Sequence, residues 1–284
     1  MKKSVILLLL MTTGLFWGQA QDQKPSFDTG DFLVVGGGIT RYKLRDVGVS
    51  PLFYDGWLPV GGIAFPSKKG DWSSSFYGTF GYGTLKRTEL STYSSTIYAI
   101  NHGGDLLKKV WDVKPNVDLL VGGAYHGNTN IRNTPAFRNA GSTAETFNTL
   151  MASARFELLF DKVKDRRRLL WLIPMKPGRR VSKLTYQLNV PILNLSWGPT
   201  FSYLDDFTDG TVDYGQKNEF SFGGFRINSQ LNYQYFLKNG NGLQLSYFWD
   251  TFSGKEGLGQ IEFAQHQVQL GILIRFSELN ESLN

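Results

Sequence analysis

Most segments of this chain alternate apolar and polar residues one by one, and this alternation limits what the chain can fold into. In the segment 266–276, HQVQLGILIRF, every even position from 268 to 276 is apolar, whereas Gln267, Gln269 and Arg275 lie at odd positions. Successive side chains of a β-strand point to opposite faces of the sheet, so this segment would present one apolar and one polar face. The pattern predicts an all-β protein built from two-faced strands.

The same two-residue period recurs along the chain between turn signals. Predicted strands cover 31–45, 52–65, 72–87, 92–111, 117–126, 147–160, 227–237, 242–250 and 266–276. The turns SKKGD, KPN and KNGNG are short, whereas the polar loops between strands are longer, at 127–145, 205–218 and 254–260. Short turns at one end and long loops at the other are typical of membrane β-barrels.

A soluble β-sandwich would also alternate, but strand length and aromatic positions favour a membrane barrel. Several predicted strands exceed the roughly 9–11 residues that cross a bilayer. Aromatic residues recur near strand ends, where a lipid–water interface favours them: Tyr42, Trp72, Tyr82, Tyr125, Trp249 and Phe276. In hydrocarbon every backbone amide must be paired, so strands can cross only as a closed barrel. We therefore predict a transmembrane antiparallel up-and-down β-barrel.

The segment 162–204 leaves the number of strands open. Its apolar residues occupy even positions as far as Ile192 and odd positions from Leu195. A tight turn near Asn194 would explain this change and, with a further strand at 169–173, would give about twelve strands. A β-bulge in one long strand would explain it equally well and would give ten, with the preceding basic stretch as a connection. We expect twelve strands, with ten as the alternative.

The first twenty residues, MKKSVILLLLMTTGLFWGQA, have the layout of a secretory signal peptide. Two lysines precede an apolar run from Val5 to Trp17, and Gly18-Gln19-Ala20 forms a small-x-small cleavage site. The run is shorter than the roughly 20 apolar residues of a membrane-spanning helix. We therefore predict a signal peptide at 1–20, a β-barrel at 21–276 and a short polar tail at 277–284.

The composition excludes some classes of function. Without Lys2 and Lys3 the chain carries 28 basic and 24 acidic residues, and it has no cysteine. So small a net positive charge does not indicate nucleic-acid binding, and an exported protein would not normally meet nucleic acid. Disulfides cannot contribute to stability in an oxidising compartment. The 32 glycines and 21 phenylalanines suit a twisted, aromatic-rich sheet.

The last strand resembles the C-terminal segment of Gram-negative outer-membrane β-barrel proteins. That family tends to end in a strand of the form polar-x-Gly-x-x-apolar-x-aromatic, which its assembly machinery recognises. Gln269, Gly271, Ile274 and Phe276 match this form, and eight further residues follow. The resemblance implies a location in the outer membrane, contact with outer-membrane lipid and lipopolysaccharide, and the assembly machinery as a partner. Other envelope proteins are further candidate partners.

The three histidines offer little support for catalysis. His102, His126 and His266 are followed two positions later by Gly, Asn and Val. None therefore resembles the His-x-Ser spacing of outer-membrane lipid hydrolases, which leaves that activity a minor alternative. Four aspartates between 205 and 213 lie far from any histidine in sequence, which favours a solvated acidic loop over an omptin-like protease site or a calcium site. We predict no catalytic residue, no cofactor and no metal.

The polar faces of the strands carry the candidate functional residues. By alternation, we expect the following charged side chains to line the lumen: Arg41, Lys43, Arg45, Asp118, Arg155, Glu157, Lys183, Arg226, Asp250 and Arg275. An excess of positive charge could concentrate anions at a constriction, whereas paired charges would only fill a narrow lumen. We predict a small porin-like channel or transporter with a net positive lumen. The alternative is a non-conducting structural or accessory subunit of an envelope complex, docking through the basic stretch 162–180 or the outer loops.

Overall fold

The computed structural model of the chain describes residues 29–46, 50–87, 94–114, 116–134, 142–164, 168–169, 173–174, 178–200, 217–237, 239–254 and 260–276. The predicted signal peptide, the predicted tail at 277–284 and the aspartates between 205 and 213 lie outside these residues.

Strands make up nearly all of the described chain. They are β1 (Gly30–Asp46), β2 (Ser50–Lys69), β3 (Trp72–Arg87), β4 (Ser94–Lys114), β5 (Val117–Asn133), β6 (Ser142–Lys164), β7 (Arg168–Leu169), β8 (Ile173–Pro174), β9 (Gly178–Thr200), β10 (Lys217–Phe222), β11 (Phe225–Phe236), β12 (Gly242–Ser253) and β13 (Ile261–Arg275). Within this part of the chain no helix has the length and apolar character needed to span a membrane.

Ten of these strands close into an antiparallel barrel. Strands β1 to β6 pair in order, β6 pairs with β9, β9 with β11, and β11 to β13 pair in order back to β1. The first and last strands pair at fifteen positions, from Phe32 opposite Arg275 to Asp46 opposite Ile261. A closed ring leaves none of its strands with an unpaired edge, as a bilayer requires. The predicted antiparallel β-barrel is confirmed, in its ten-strand form.

The number of strands follows from a β-bulge in β9. Leu150 of β6 lies opposite Leu193, and the next residue, Met151, lies opposite Pro191, so Ile192 has no partner on β6. One extra residue changes which positions face outward, which explains the change of phase seen in the sequence. Asn194 lies inside β9 rather than in a turn. Of the segment 169–173 the structure describes Leu169 and Ile173, which belong to the two-residue strands β7 and β8 and pair with each other.

A short extra strand extends the barrel wall. Strand β10 pairs with the last residues of β9, from Leu195 to Thr200. Gly223 and Gly224 separate β10 from β11 and have φ values of 109° and 80°. Glycine adopts such positive φ values readily, and the two glycines interrupt the run of strand residues between β10 and β11.

The two ends of the barrel differ in their connections. We call the end that holds Gly30 and Arg275 the terminal end, and the opposite end the loop end. Gly70 and Asp71 connect β2 to β3 at the terminal end. At the loop end the predicted polar loop 127–145 is shorter than expected, because β5 continues to Asn133 and β6 starts at Ser142.

The outer surface of the barrel is apolar around its middle. On β13 the side chains of Val268, Leu270 and Ile272 are exposed, whereas Gln267 is buried inside. Exposed aromatic residues lie above and below this apolar surface: Trp57, Tyr82 and Tyr98 toward the loop end, and Trp72, Trp111 and Phe276 toward the terminal end. Two aromatic belts separated by apolar residues match the two interfaces of a bilayer.

Two glycines allow β1 to approach β13 closely. A Cβ atom added at Gly38 would lie 1.9 Å from the carbonyl oxygen of Val268, and one at Gly36 would lie 2.8 Å from that of Leu270. Both neighbours are backbone atoms, which cannot turn away as a side chain could. At Gly37, which faces outward, the nearest atom would be 3.5 Å away, an ordinary contact.

We predict that Gly38→Ala destabilises the barrel by about 1–3 kcal/mol, the usual cost of forcing extra atoms into a packed site. Gly37→Ala, one residue away on the same strand, should have little effect. Urea unfolding of the refolded barrel in detergent micelles measures both. Equal stability of the two variants would contradict the close approach of β1 and β13.

Candidate functional site in the barrel interior

Seven of the ten predicted lumen residues have their side chains on the inner side of the barrel. Each of them contacts other inward groups: Asp118, Arg155, Glu157, Lys183, Arg226, Asp250 and Arg275. Among the residues that match the C-terminal signal, Gln269 and Gly271 face inward, whereas Ile274 and Phe276 face outward.

The other three, Arg41, Lys43 and Arg45, lie on the outer face, and the prediction that they line the lumen was wrong. They follow Ile39 on the outward side of β1, and 54% of the Arg41 side chain is exposed. The inward residues here are Tyr42 and Leu44, both fully buried. Near the loop end the outer surface leaves the apolar band, so charges face outward there and apolar groups fill the inside. Alternation correctly separated the residues of β1 into a charged face and an apolar face. The prediction placed the charged face inside the barrel, whereas it lies outside.

An apolar cluster fills the lumen at the loop end. We call it the loop-end cluster, and its members are Tyr42, Leu44, Tyr54, Leu58, Leu85, Ile97, Ala99, Phe147, Phe252, Ile261 and Phe263. These residues come from seven of the ten barrel strands. The Phe147 ring lies 4.6 Å from that of Phe252 and 5.3 Å from that of Phe263, centroid to centroid. Aromatic rings from three different strands, β6, β12 and β13, therefore meet inside the barrel.

Below the loop-end cluster, a buried network of polar side chains crosses the lumen. Arg226 on β11 binds Asp250 on β12 through two hydrogen bonds, Nε to Oδ1 at 3.0 Å and Nη2 to Oδ2 at 2.7 Å. Both side chains are fully buried. Arg226 Nη1 also donates to the backbone carbonyl oxygens of His126 and Phe147, at 3.3 and 3.1 Å. The guanidinium thus ties β11 and β12 to β5 and β6, which lie on the other side of β9 in the ring.

His126 extends this network to a third side of the barrel. Its Nε2 lies 3.2 Å from Oδ2 of Asp250, and its Nδ1 contacts the hydroxyl of Tyr77 on β3. An ionised carboxylate can only accept, so Nε2 carries the proton and Nδ1 accepts from the Tyr77 hydroxyl. Every strong hydrogen-bonding group of the imidazole is therefore used within the barrel.

A second polar network occupies the half of the lumen nearer the terminal end. Arg155 binds Asp105 at 2.7 Å and also donates to the side chains of Ser73 and Gln187. Glu157 accepts from two lysines, Lys68 and Lys183, each at 2.8 Å.

The charges at the mouth of the terminal end continue this pattern. Asp118 lies 3.6 Å from Lys68 and 3.1 Å from Lys109. Arg275 places its guanidinium 5.4 Å from the ring centre of Phe32 and donates to the carbonyl oxygen of Thr29. The four predicted lumen cations on the inner side therefore all contact other groups of the barrel: Arg155, Lys183, Arg226 and Arg275.

A third ion pair group lies at the loop end. Arg132 binds two carboxylates, Asp46 at 2.7 Å and Glu145 at 2.8 Å. Outward neighbours on this part of β6 are polar, Thr146 and Asn148, so these groups lie beyond the apolar band.

Besides Arg275, which contacts Phe32 and Thr29, the described interior holds twelve charged side chains that contact one another. Six inward cations, Lys68, Lys109, Arg132, Arg155, Lys183 and Arg226, contact six inward carboxylates, Asp46, Asp105, Asp118, Glu145, Glu157 and Asp250. Sequence reasoning missed half of these twelve residues, including Arg132 and its two carboxylates. Four of the missed residues lie beyond the ends of the predicted strands: Asp46, Lys68, Arg132 and Glu145. The other two, Asp105 and Lys109, lie in the predicted strand 92–111, whose residues were not assigned to faces.

The described residues of the polar part of the lumen enclose at least two small cavities. Their volumes are about 70 and 90 Å³, and both are bounded by Tyr77, Gln230 and Gln244. Such a volume holds a few water molecules, since one water needs about 10–15 Å³ on this measure. The side-chain oxygen of Gln267 borders the first cavity and has no protein partner, so water there would satisfy it.

Several solved structures that resemble this barrel are outer-membrane proteins. The outer membrane protease OmpT from Escherichia coli matches with a TM-score of 0.54 and 11% sequence identity, over 91% of this chain and 100% of OmpT. The fold is that of the outer-membrane β-barrel proteins. At this identity the likeness concerns the fold alone, so the protease activity of OmpT is not carried over.

Other outer-membrane β-barrels match less closely. The translocator domain of autotransporter NalP from Neisseria meningitidis has a TM-score of 0.41 and 11% identity, over 96% of this chain and 95% of that domain. The attachment invasion locus protein Ail of Yersinia pestis has a TM-score of 0.31 and 9% identity, over 87% of this chain and 99% of Ail. No protein-family model matches the chain, and no curated protein matches it by sequence.

We predict that Arg226→Met destabilises this outer-membrane β-barrel by about 3–5 kcal/mol, because the buried Asp250 carboxylate loses its partner. Arg226→Met combined with Asp250→Leu should recover part of that loss. Arg41→Met, which breaks an exposed pair with Asp55, should cost far less. Urea unfolding in micelles measures all three. If Arg226→Met costs no more than Arg41→Met, the buried network around Arg226 and Asp250 stabilises the barrel no more than an exposed ion pair does.

Proposed function

We propose that the protein is a non-conducting outer-membrane barrel that serves as a structural or accessory component of the cell envelope. Its functional surfaces would then be the two ends and the outer wall rather than the lumen. The observation that carries this proposal is the loop-end cluster, in which Tyr42, Leu58, Leu85 and Ile97 have essentially no exposed surface. An open channel would leave inward side chains at this level in contact with water.

Contacts across the lumen support the same proposal. The Tyr42 hydroxyl on β1 lies 3.0 Å from Oδ1 of Asn130 on β5. Asn101 on β4 and Gln265 on β13 also bond to each other through their amide groups. These strands lie on different sides of the ring, so each such bond crosses the path that a solute would take. Conduction needs a continuous wet path with sites that a solute can leave.

The pairing of the interior charges argues in the same direction. A selective pore needs charges that a passing ion can meet, whereas six inward carboxylates here each contact an inward cation. Paired charges fill and stiffen a narrow lumen. The porin-like channel with a net positive lumen remains the competing prediction, and a conductance measurement separates the two.

The positions of the histidines favour a barrel without catalytic activity. His126 is buried in the centre of the barrel, between Tyr77 and Asp250. His102 and His266 lie on the outer wall, where each contacts a tyrosine, Tyr125 and Tyr247 respectively. Among the described residues neither of these two histidines contacts a serine or carboxylate side chain, and hydrolysis would need such a nucleophile or acid–base partner.

We expect the purified barrel to show no single-channel conductance in planar lipid bilayers. The triple variant Phe147→Ala, Phe252→Ala and Phe263→Ala removes three rings that contact one another in the loop-end cluster. It should gain measurable conductance steps, because water can then pass the level of the loop-end cluster and reach the cavities of about 70 and 90 Å³ beside the polar networks.

The matched control removes three exposed rings from the outer wall, with Phe76→Ala, Phe80→Ala and Phe156→Ala. It should remain silent. The heat-dependent mobility shift of folded barrels on gels checks that each protein is folded before it is measured. Regular conductance steps from the unaltered barrel would overturn the proposal and restore the porin-like channel.

A further inference from the structure

The outer wall carries a basic patch at the boundary of its apolar surface. We call it the β1 patch, and it consists of Arg41, Lys43, Arg45 and Lys86 together with Asp55 and Glu262. We propose that the β1 patch binds the phosphate groups of lipid headgroups in the leaflet at the loop end. The proposal concerns the outer wall, so it does not depend on whether the lumen conducts.

The position of the β1 patch fits the depth of lipid headgroups. Ile39 is the last apolar residue on the outward side of β1, and 52% of its surface is exposed. The next outward residue is Arg41, which lies opposite Trp57 of β2 in the strand register. Trp57 belongs to the aromatic belt near the loop end. Cations directly beyond such a belt lie where phosphates of a bilayer are found.

The charge of the β1 patch is positive, with four cations and two carboxylates. Arg41 binds Asp55 through Nε and Nη2, at 3.2 and 2.6 Å, and Arg45 binds Glu262 through the same two nitrogens, at 2.9 and 2.6 Å. These carboxylates hold the two guanidinium groups in place. Nη1 of each arginine is left to donate to a phosphate oxygen, which arginine binds well.

Lys43 lies between the two arginines and differs from them. Its Nζ is 4.5 Å from the ring centre of Phe53, and the same ring lies 4.7 Å from the guanidinium carbon of Arg45. Within the described part of the wall, Lys43 contacts no carboxylate. Outward residues two apart on a strand are separated by about 7 Å. Arg41, Lys43 and Arg45 therefore form a row of three cations that more than one phosphate can contact.

The terminal end offers a matched comparison. Lys108 is exposed on the outer wall of β4, with its Nζ 5.6 Å from the ring centre of Trp72. It thus resembles Lys43 in lying over an aromatic ring at the edge of the apolar surface. It has no outward cation beside it on β4, because the neighbouring outward residues are Leu106 and Val110. Across the sheet, Lys69 of β2 lies on the far side of Trp72 and pairs with Asp31 at 3.2 Å. Lys108 should therefore hold a phosphorylated lipid less well than the row of cations in the β1 patch does.

Native mass spectrometry of the full-length barrel, released from detergent micelles, tests the proposal. The probes are bisphosphorylated lipid A, its dephosphorylated form, and inorganic phosphate as a competitor. The unaltered barrel should retain the phosphorylated lipid at least about fivefold more than the dephosphorylated one. The variant Arg41→Gln with Lys43→Gln should lose most of this preference, whereas Lys108→Gln should keep it. The gel mobility shift confirms that each variant is folded.

Three results would overturn the proposal. The first is equal retention of the two lipid forms by the unaltered barrel. The second is an equal loss of retention in Lys108→Gln and in the double variant, which would mean that any exposed cation suffices. The third is full displacement of the lipid by inorganic phosphate, which would point to a site for the free ion. None of these results bears on conductance, so the proposed function is tested separately.

Discussion

The hydrogen-bonded pairing of β1 with β13 is the interaction on which the rest of the structure depends. These strands are the first and last of the barrel, and their fifteen pairs turn an open sheet into a closed ring. Without them two strands would present unpaired amides, which hydrocarbon does not tolerate. The pairing needs Gly36 and Gly38, since any side chain there would meet the backbone of β13. Closure in turn creates the enclosed space that the polar networks and the loop-end cluster fill.

The polarity of each face changes along the strands, and this change explains both the interior and the outer wall. At the level of the bilayer the outer face of β13 is apolar and its inner face carries glutamines. Near the loop end the outer face of β1 carries Arg41 and Lys43 while Tyr42 and Leu44 lie inside. The same inversion therefore closes the lumen with apolar side chains and places cations at the boundary of the lipid. A filled barrel and a basic outer patch are two results of one sequence pattern.

Much of the fold could be predicted from the sequence, because the strands and their two faces are local patterns repeated many times. Closure follows from the need to pair every backbone amide in hydrocarbon. Strand β3 was predicted at 72–87 and has those bounds. The bulge at Ile192 was one of two interpretations that the change of phase allowed, and only pairing with β6 decided between them. The ion pairs could not be predicted, because partners such as Arg132 and Asp46 are 86 residues apart. The inversion on β1 was missed because alternation alone does not indicate where the lipid ends.

A cysteine scan measures most directly whether the chain closes into a barrel with its apolar face in lipid. The protein has no cysteine, so each introduced cysteine along 266–276 can carry a single spin label. Collision with oxygen, which concentrates in lipid, should be high at Val268, Leu270 and Ile272 and low at Gln267 and Gln269. A water-soluble nickel chelate should reach none of these five positions freely. High accessibility to the chelate at every position would show a soluble protein and would contradict the membrane barrel.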